Sequence, residues 1–269
     1  MAICQKDELF GVIDKNDLTL IPFEYESLQW LWKDIFKYTR GESAGLIRSD
    51  GTLLLPGEFD GIGTFEEGKI VIVKDGKMGY ADTSGAIIIQ LLFDAGKETL
   101  VQSQFHNGMA VVRKNNRYGL IDSTGKIVIQ PTFEDLKFLS DSIIAFRKNS
   151  KWGAGMRTPN NVLFLPKYDQ IFSCEDDNCV VALKGKQGLI DTTGKNILPF
   201  QYELLQRIGN GFFMARKLGK YGVLNSDNHE VIPFRYDKYL ERDKGVIEFA
   251  NSSDVIWLDI VNKKVFSKN

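Results

Sequence analysis

The stretch Ala110-Val111-Val112-Arg113-Lys114-Asn115-Asn116-Arg117-Tyr118-Gly119-Leu120-Ile121-Asp122-Ser123-Thr124-Gly125-Lys126-Ile127-Val128-Ile129-Gln130-Pro131-Thr132-Phe133 decides the fold. It holds three short β-prone runs separated by two turns. Asn115-Asn116 sits between the first two runs. Paired residues of Asn, Asp or Gly type in that place signal a type I′ hairpin, because both central positions need φ > 0. Asp122-Ser123-Thr124-Gly125 is the second turn. Its Asp accepts backbone N–H groups and its Gly takes the left-handed conformation. Pro131, which lacks an N–H, suits the end of the third run, and Phe133 follows it.

The same unit recurs along the chain. Gly11, Gly45, Gly79, Gly119, Gly153, Gly188 and Gly222 lie at steps of 34, 34, 40, 34, 35 and 34 residues, and a degenerate eighth copy, Ile256-Trp257-Leu258-Asp259, comes 34 later. A fixed period of this size marks a propeller or a solenoid. The hairpin slot also holds Asp75-Gly76, Asn149-Ser150, Lys184-Gly185 and Leu218-Gly219. The turn glycine recurs as Gly85 and Gly194 and gives way to Asp17 and Asn228, residues that tolerate the left-handed region. Prolines 22, 56, 131, 166, 199 and 233 close the third run. An aromatic residue follows each: Tyr25, Phe59, Phe133, Tyr168, Tyr202 and Tyr236, with Phe93 in the copy that lacks proline. One aromatic per copy predicts a recurrent core layer. A weaker fourth run completes the unit, and no stretch carries helical periodicity with caps.

With Lys151-Trp152-Gly153, the Gly-Leu-Ile-Asp-x-x-Gly segment and the Ile-Pro-x-x-Tyr ending, the chain resembles bacterial WG (or KWG) repeats. The resemblance runs over residues 2–266, although Trp152 alone supplies the eponymous Trp. Elsewhere that slot holds Phe10, Ala44, Met78, Tyr118, Gln187 or Tyr221. The resemblance implies an all-β repeat protein with no catalytic residues to carry over. Four short strands per unit is the make-up of a propeller blade. The expected architecture is a β-propeller-like ring of about 7–8 small antiparallel blades, with an open β-hairpin solenoid as the alternative. Residues 2–266 form one repeat domain in this reading. The array opens at the second strand of a unit, so one blade is expected to be short.

Composition narrows the function classes. The 34 basic and 35 acidic residues balance, which speaks against a nucleic-acid surface. No apolar stretch has the length of a membrane span, and the N-terminus lacks the basic-then-apolar pattern of a leader. A cytoplasmic protein is expected, with Cys4, Cys174 and Cys179 reduced. Those cysteines with His106 and His229 lack zinc-site spacing, so neither a metal nor a cofactor is expected. Phosphate-loop, Gly-x-Ser-x-Gly and His-Glu-x-x-His signatures are missing. No catalytic residue is assigned.

Residues that recur in every copy build the copy, so function is sought in the departures. The largest is Trp30-Leu31-Trp32. Trp32 falls where other copies carry Glu66, His106, Ser140, Glu175, Gly209 and Asp243, all polar or small, which predicts an exposed indole. Exposed Trp is a common binding anchor. Trp30 is the second candidate, although Phe138 fills its slot elsewhere. An insertion within 95–102 and the acidic turn Glu175-Asp176-Asp177-Asn178 are further departures, expected to be a surface loop and a solvated turn. The expected function is a non-catalytic interaction module that binds a protein or peptide partner through one face, with Trp30 and Trp32 as partner-binding residues. The alternative is a carbohydrate-active or other ligand-processing propeller that works with facing carboxylates.

Overall fold

The computed structural model describes residues 1–96, 99–158, 161–242 and 245–267. Its strands form eight antiparallel sheets in chain order. The fold is an all-β repeat of small blade-like meanders, as the period predicts. The chain divides into two compact units, Met1–Leu136 and Lys137–Asn269.

In the first unit the second sheet has strands Ser27–Trp32, Ile35–Arg40, Ser43–Arg48 and Leu53–Phe59, and the third has Gly61–Glu66, Lys69–Lys74, Lys77–Asp82 and Ile87–Asp94. The first sheet (Ala2–Lys6, Leu9–Ile13, Thr19–Tyr25) and the fourth (Met109–Lys114, Arg117–Asp122, Ile127–Phe133) have three strands each among the described residues. Each lacks the first strand of the pattern. One short blade was expected from the sequence, and the fourth sheet is a second one. There the inserted segment makes the helical turn Thr99–Gln102 in place of a strand. Phe105 is buried against the sheet, and the Tyr80 hydroxyl donates to the Ser103 carbonyl at 2.6 Å. Lys97 and Glu98 of the insertion lie outside the described residues.

The fifth to eighth sheets have four strands each among the described residues, the fifth opening with the short strand Asp135–Phe138. The sixth has Gln170–Glu175, Asn178–Leu183, Lys186–Asp191 and Asn196–Tyr202. The seventh has Leu204–Gly209, Phe212–Lys217, Lys220–Asn225 and Glu230–Tyr236, and the eighth has Lys238–Arg242, Val246–Ala250, Val255–Asp259 and Lys264–Ser267.

The turns follow the predicted chemistry. Asn115 and Asn116 have φ of 53° and 58°, Gly125 has 86°, and Asp17 and Asn228 take 61° and 63° in the glycine slot. Asp122 Oδ1 accepts the N–H groups of Thr124 and Lys126 at 2.9 and 3.1 Å. Those bonds, led by the Thr124 hydroxyl, hold its carboxyl below the usual carboxylate range.

The repeated glycine has a different cause. A Cβ on Gly119 would lie 2.4 Å from the Ile129 carbonyl oxygen and 2.8 Å from Pro131 N. The neighbouring strand bulges there: Tyr118 faces Phe133 but Leu120 faces Ile129. Two extra residues are folded against the glycine. The same shift occurs beside Gly11, Gly45, Gly79, Gly153, Gly188 and Gly222. In the eighth copy Ile256 replaces glycine, and its pairing with Lys264–Ser267 runs without a shift. Glycine and bulge appear and disappear together.

Within each unit the apolar core lies between successive sheets. Val71, Met78, Tyr80 and Phe93 of the third pack with Ala110, Val112 and Ile121 of the fourth. Of the predicted aromatic layer, Tyr25, Phe59, Phe93, Tyr168, Tyr202 and Tyr236 are buried and Phe133 is half-buried. Acidic residues at the junctions add a polar stitch. Asp94 accepts Lys77 Nζ at 2.6 Å and the Asn116 N–H at 3.2 Å, tying the third sheet to the hairpin of the fourth. Asp169 does the same with Lys151 and the Gly185 N–H.

Candidate functional site

The Trp-Leu-Trp departure forms the end of the first strand of the second sheet. Trp30 pairs with Phe36 and Trp32 with Ile35, so Leu31 is an extra residue that bulges between them. Leu31 turns to the core of the second and third sheets, while both indoles face outwards. Trp30 is 63% exposed and Trp32 is 40% exposed. They differ in what supports them. Trp32 leans on Phe65, with ring centroids 6.0 Å apart, and Lys33 Nζ lies 4.1 Å from its centroid. Trp30 Nε1 donates to the Lys33 carbonyl at 2.6 Å. That bond fixes one edge of the Trp30 ring and leaves its face to a cleft of about 470 Å³ lined by Met1, Ala2, Ile3, Trp30 and Phe36. Trp30, the secondary candidate in the sequence, therefore belongs to the better-formed site. Glu66, His106, Glu175 and Gly209, the counterparts of Trp32, are exposed and Ser140 is half-buried, as their polarity predicts. Asp243 lies outside the described residues.

A second cleft, of about 440 Å³, lies in the second unit between the first strands of the sixth and seventh sheets. Phe172, Glu175 and Arg207 are among its walls, and the Arg207 Nη2 group donates to the Glu175 carbonyl at 3.1 Å. Facing carboxylates were the feature expected of a ligand-processing site. The first cleft has none in its lining, and Glu175 is the one carboxylate of the second.

Cys174 and Cys179 correct the expectation of reduced thiols. They form a disulfide, with an S–S distance of 2.00 Å. Asp176-Asp177 is a two-residue turn with φ of 48° and 58°, and Glu175 faces Asn178. The next pair out is Cys174 opposite Cys179, with Cα atoms 4.1 Å apart. This is the close, non-hydrogen-bonded type of pair, in which the two Cβ atoms come nearest. Cys4 is free and half-buried.

The eponymous slot is scaffold. The Trp152 ring lies against the cations of Lys137 and Arg147. In the same slot Gln187 accepts the Leu205 N–H at 2.6 Å, and Tyr221 meets Tyr239 edge-on at 5.2 Å. Leu205 and Tyr239 are equivalent residues of the following sheets, so the slot joins one sheet to the next.

The "WG containing repeat" family model matches residues 45–77, 78–118, 118–152, 188–221 and 221–243, more than half of the chain. The protein belongs to the WG containing repeat family. No curated protein matches it. Among solved structures these WG repeats are similar to the one titled "Crystal structure of the eukaryotic initiation factor", at 12% identity and a TM-score of 0.50, over 99% of this chain and 84% of that one. Dihydro-heme d1 dehydrogenase NirN in complex with DHE matches at 7% identity and a TM-score of 0.39, over 98% of this chain and 71% of that one. The C-terminal WD40 domain of Sif2 matches at 11% identity and 0.35, over 85% and 79%. The first likeness is one of fold alone. No helix among the described residues is long and apolar enough to cross a membrane.

Proposed function

We propose that this WG-repeat chain is an interaction module that binds a protein or peptide partner through the Trp30–Trp32 face of its first unit. The observation that carries the reading is the pair of exposed indoles on one strand. Repeat packing accounts for the recurrent slots of the other sheets and needs no Trp at either place. Trp30 is also held by its own hydrogen bond to Lys33, so little side-chain freedom is lost when a partner covers it.

Alanine replacement separates a binding surface from a structural patch. Trp32→Ala removes one ring contact and one exposed cation contact, together about 1–2 kcal/mol of stability. Trp30→Ala is expected to change stability by less than about 1 kcal/mol. Capture of partners from an extract should fall by roughly tenfold in the double variant, the scale expected of an anchor residue. Loss of about 3 kcal/mol or more in either single variant, with capture intact, would refute the reading. A cytoplasmic site of action stays part of the proposal only for a chain whose Cys174–Cys179 bond survives or is dispensable there, since disulfides persist mainly in oxidising compartments.

A further inference from the structure

The first sheet is short in a way the fourth is not. Ala2, Ile3 and Cys4 occupy the places of Ala110, Val111 and Val112. Those three are buried in the fourth sheet. In the first sheet Ala2 and Ile3 are exposed and Cys4 is half-buried. No strand other than Leu9–Ile13 pairs with Ala2–Lys6 among the described residues.

The register says which backbone groups are open. Lys6 faces Leu9 across the two-residue turn, so Lys6, Cys4 and Ala2 exchange hydrogen bonds with the inner strand. By alternation Ile3 and Gln5 turn their N–H and C=O groups to the outer edge. In complete sheets the counterpart of the Gln5 carbonyl is taken. Glu26 N donates to Thr39 O at 3.0 Å, Asp60 N to Val73 O at 2.8 Å and Asp169 N to Ala182 O at 2.9 Å.

Resting on the interaction reading above, we propose that the edge of Ala2–Lys6, unpaired among the described residues, takes an extended peptide segment of the partner as a further antiparallel strand. The other sheets define its chemistry. Opposite the counterpart of Cys4 stand Leu28, Ile62, Ile171, Leu205 and Tyr239. The next residue lies by Ile3, whose inner neighbour Val12 packs with Phe36 and Ile47 of the second sheet; in the sixth sheet that next residue, Phe172, bulges out between Ile171 and Ser173. A side chain there enters the cleft beside Trp30 and Phe36, as Phe172 lies beside Arg207 in the second cleft. The segment therefore carries an apolar residue opposite Cys4; at the following place the other sheets hold Gln29, Gly63, Phe172, Gln206 and Leu240, and the cleft beside Trp30 is what favours a large apolar side chain there. Backbone pairing supplies affinity and the two pockets supply selectivity.

A second copy of this edge does not fit. Antiparallel self-pairing that matches the outward groups of Ile3 and Gln5 places Ala2, Cys4 or Lys6 opposite Cys4. The register that brings Ile3 to Ile3 leaves Ala2 in the place opposite Cys4.

The test uses the full chain and the peptide Tyr-Asn-Gln-Ile-Phe-Ser. This copies residues 168–173 with asparagine for Asp169, because the first sheet's own turn, Asp7-Glu8, is already acidic. At saturating peptide, amide exchange at Ile3 and Gln5 should slow by roughly tenfold, and a control peptide with Asp for Ile should have no effect. Gln5→Pro removes the outward N–H without breaking an inner-ladder bond and should abolish the protection. Trp30→Ala should weaken binding. Protection of Ile3 and Gln5 in the chain alone would overturn the proposal, as would protection that rises with chain concentration, or peptide binding that leaves both amides unchanged. If Trp30→Ala loses partner capture while Gln5→Pro keeps it, strand addition fails and the interaction reading stands. If both variants capture partners as well as the native chain, the interaction reading itself fails.

Discussion

Gly119→Ala tests the reason for the repeat. The new Cβ would meet the Ile129 carbonyl oxygen at 2.4 Å, where ordinary contact begins at 3.4 Å. One strand must therefore retreat by about 1 Å. The obstructing atoms are backbone, and the bulge that carries them is held on both sides by the Tyr118–Phe133 and Leu120–Ile129 pairs. Overpacking of this kind costs about 1–3 kcal/mol. Alanine also restricts the unfolded chain, which returns about 0.4–1 kcal/mol. Backbone cannot swing aside as a side chain would, so the upper half of the overpacking range applies and the net loss is about 1–2.5 kcal/mol, which lowers the thermal midpoint by roughly 2–10 °C for a domain of this size. Gly108→Ala is the control for backbone conformation. It has φ of 74° and nothing within 4 Å of a built Cβ, so it carries the left-handed cost alone, about 1 kcal/mol. Thermal unfolding followed by circular dichroism reads both. An unchanged midpoint for Gly119→Ala would refute the claim that close approach at the bulge selects glycine.

Two further outcomes follow from the turns and the thiols. Thiol titration of the folded, unreduced chain should find one reactive group, Cys4, and three after reduction and unfolding; three in the folded chain would contradict the hairpin disulfide. Asp82, Asp122 and Asp191 have carboxyls held down, first by hydroxyl hydrogen bonds from Ser84, Thr124 and Thr193. Their folded values lie below the unfolded one, near about 3.9. The stability they lend is fully present above that pH and is lost as pH falls through the folded values. The thermal midpoint should hold from neutral pH down to about 5 and fall below about 4; a fall that begins near neutral pH would point to other groups.

Local chemistry made most of this fold legible. Asn115-Asn116 and Asp122 to Gly125 each specify a turn through nearest-neighbour geometry, and nothing distant overrides them. The repeated glycine was legible as a period but not as a cause. It serves no turn and has no positive φ; its role appears only when the bulged strand is laid beside it. A hint lay in the eighth copy, where Ile256 stands in the glycine slot and no proline follows. The missing proline is not the cause, because the third copy lacks it too and keeps both Gly79 and the bulge. The disulfide was within reach. A two-residue turn at Asp176-Asp177 makes Cys174 and Cys179 the next cross-strand pair, a spacing of five that counts as wrong for zinc and right for a hairpin bridge. Reading the acidic run as a solvated turn, which it is, concealed the register it imposes.

The candidate site was legible only as an exception, and the exception has two parts. Trp30 and Trp32 stand out against their counterparts in sequence. The bare edge of Ala2–Lys6 does not, because Ala2-Ile3-Cys4 reads like Ala110-Val111-Val112. Burial distinguishes them: Ala110, Val111 and Val112 are buried, whereas Ala2 and Ile3 are exposed and Cys4 is half-buried. Sheets with unpaired edges invite further strands, and native chains usually blunt them with charge, proline or a covering loop. Lys6 is the one charged residue on this strand. The sheet that keeps its edge open is the one whose neighbour presents Trp30 to the same cleft. An unprotected edge beside an exposed, hydrogen-bonded indole is a liability in a scaffold and an asset in a binding site, which is why the two departures are read together.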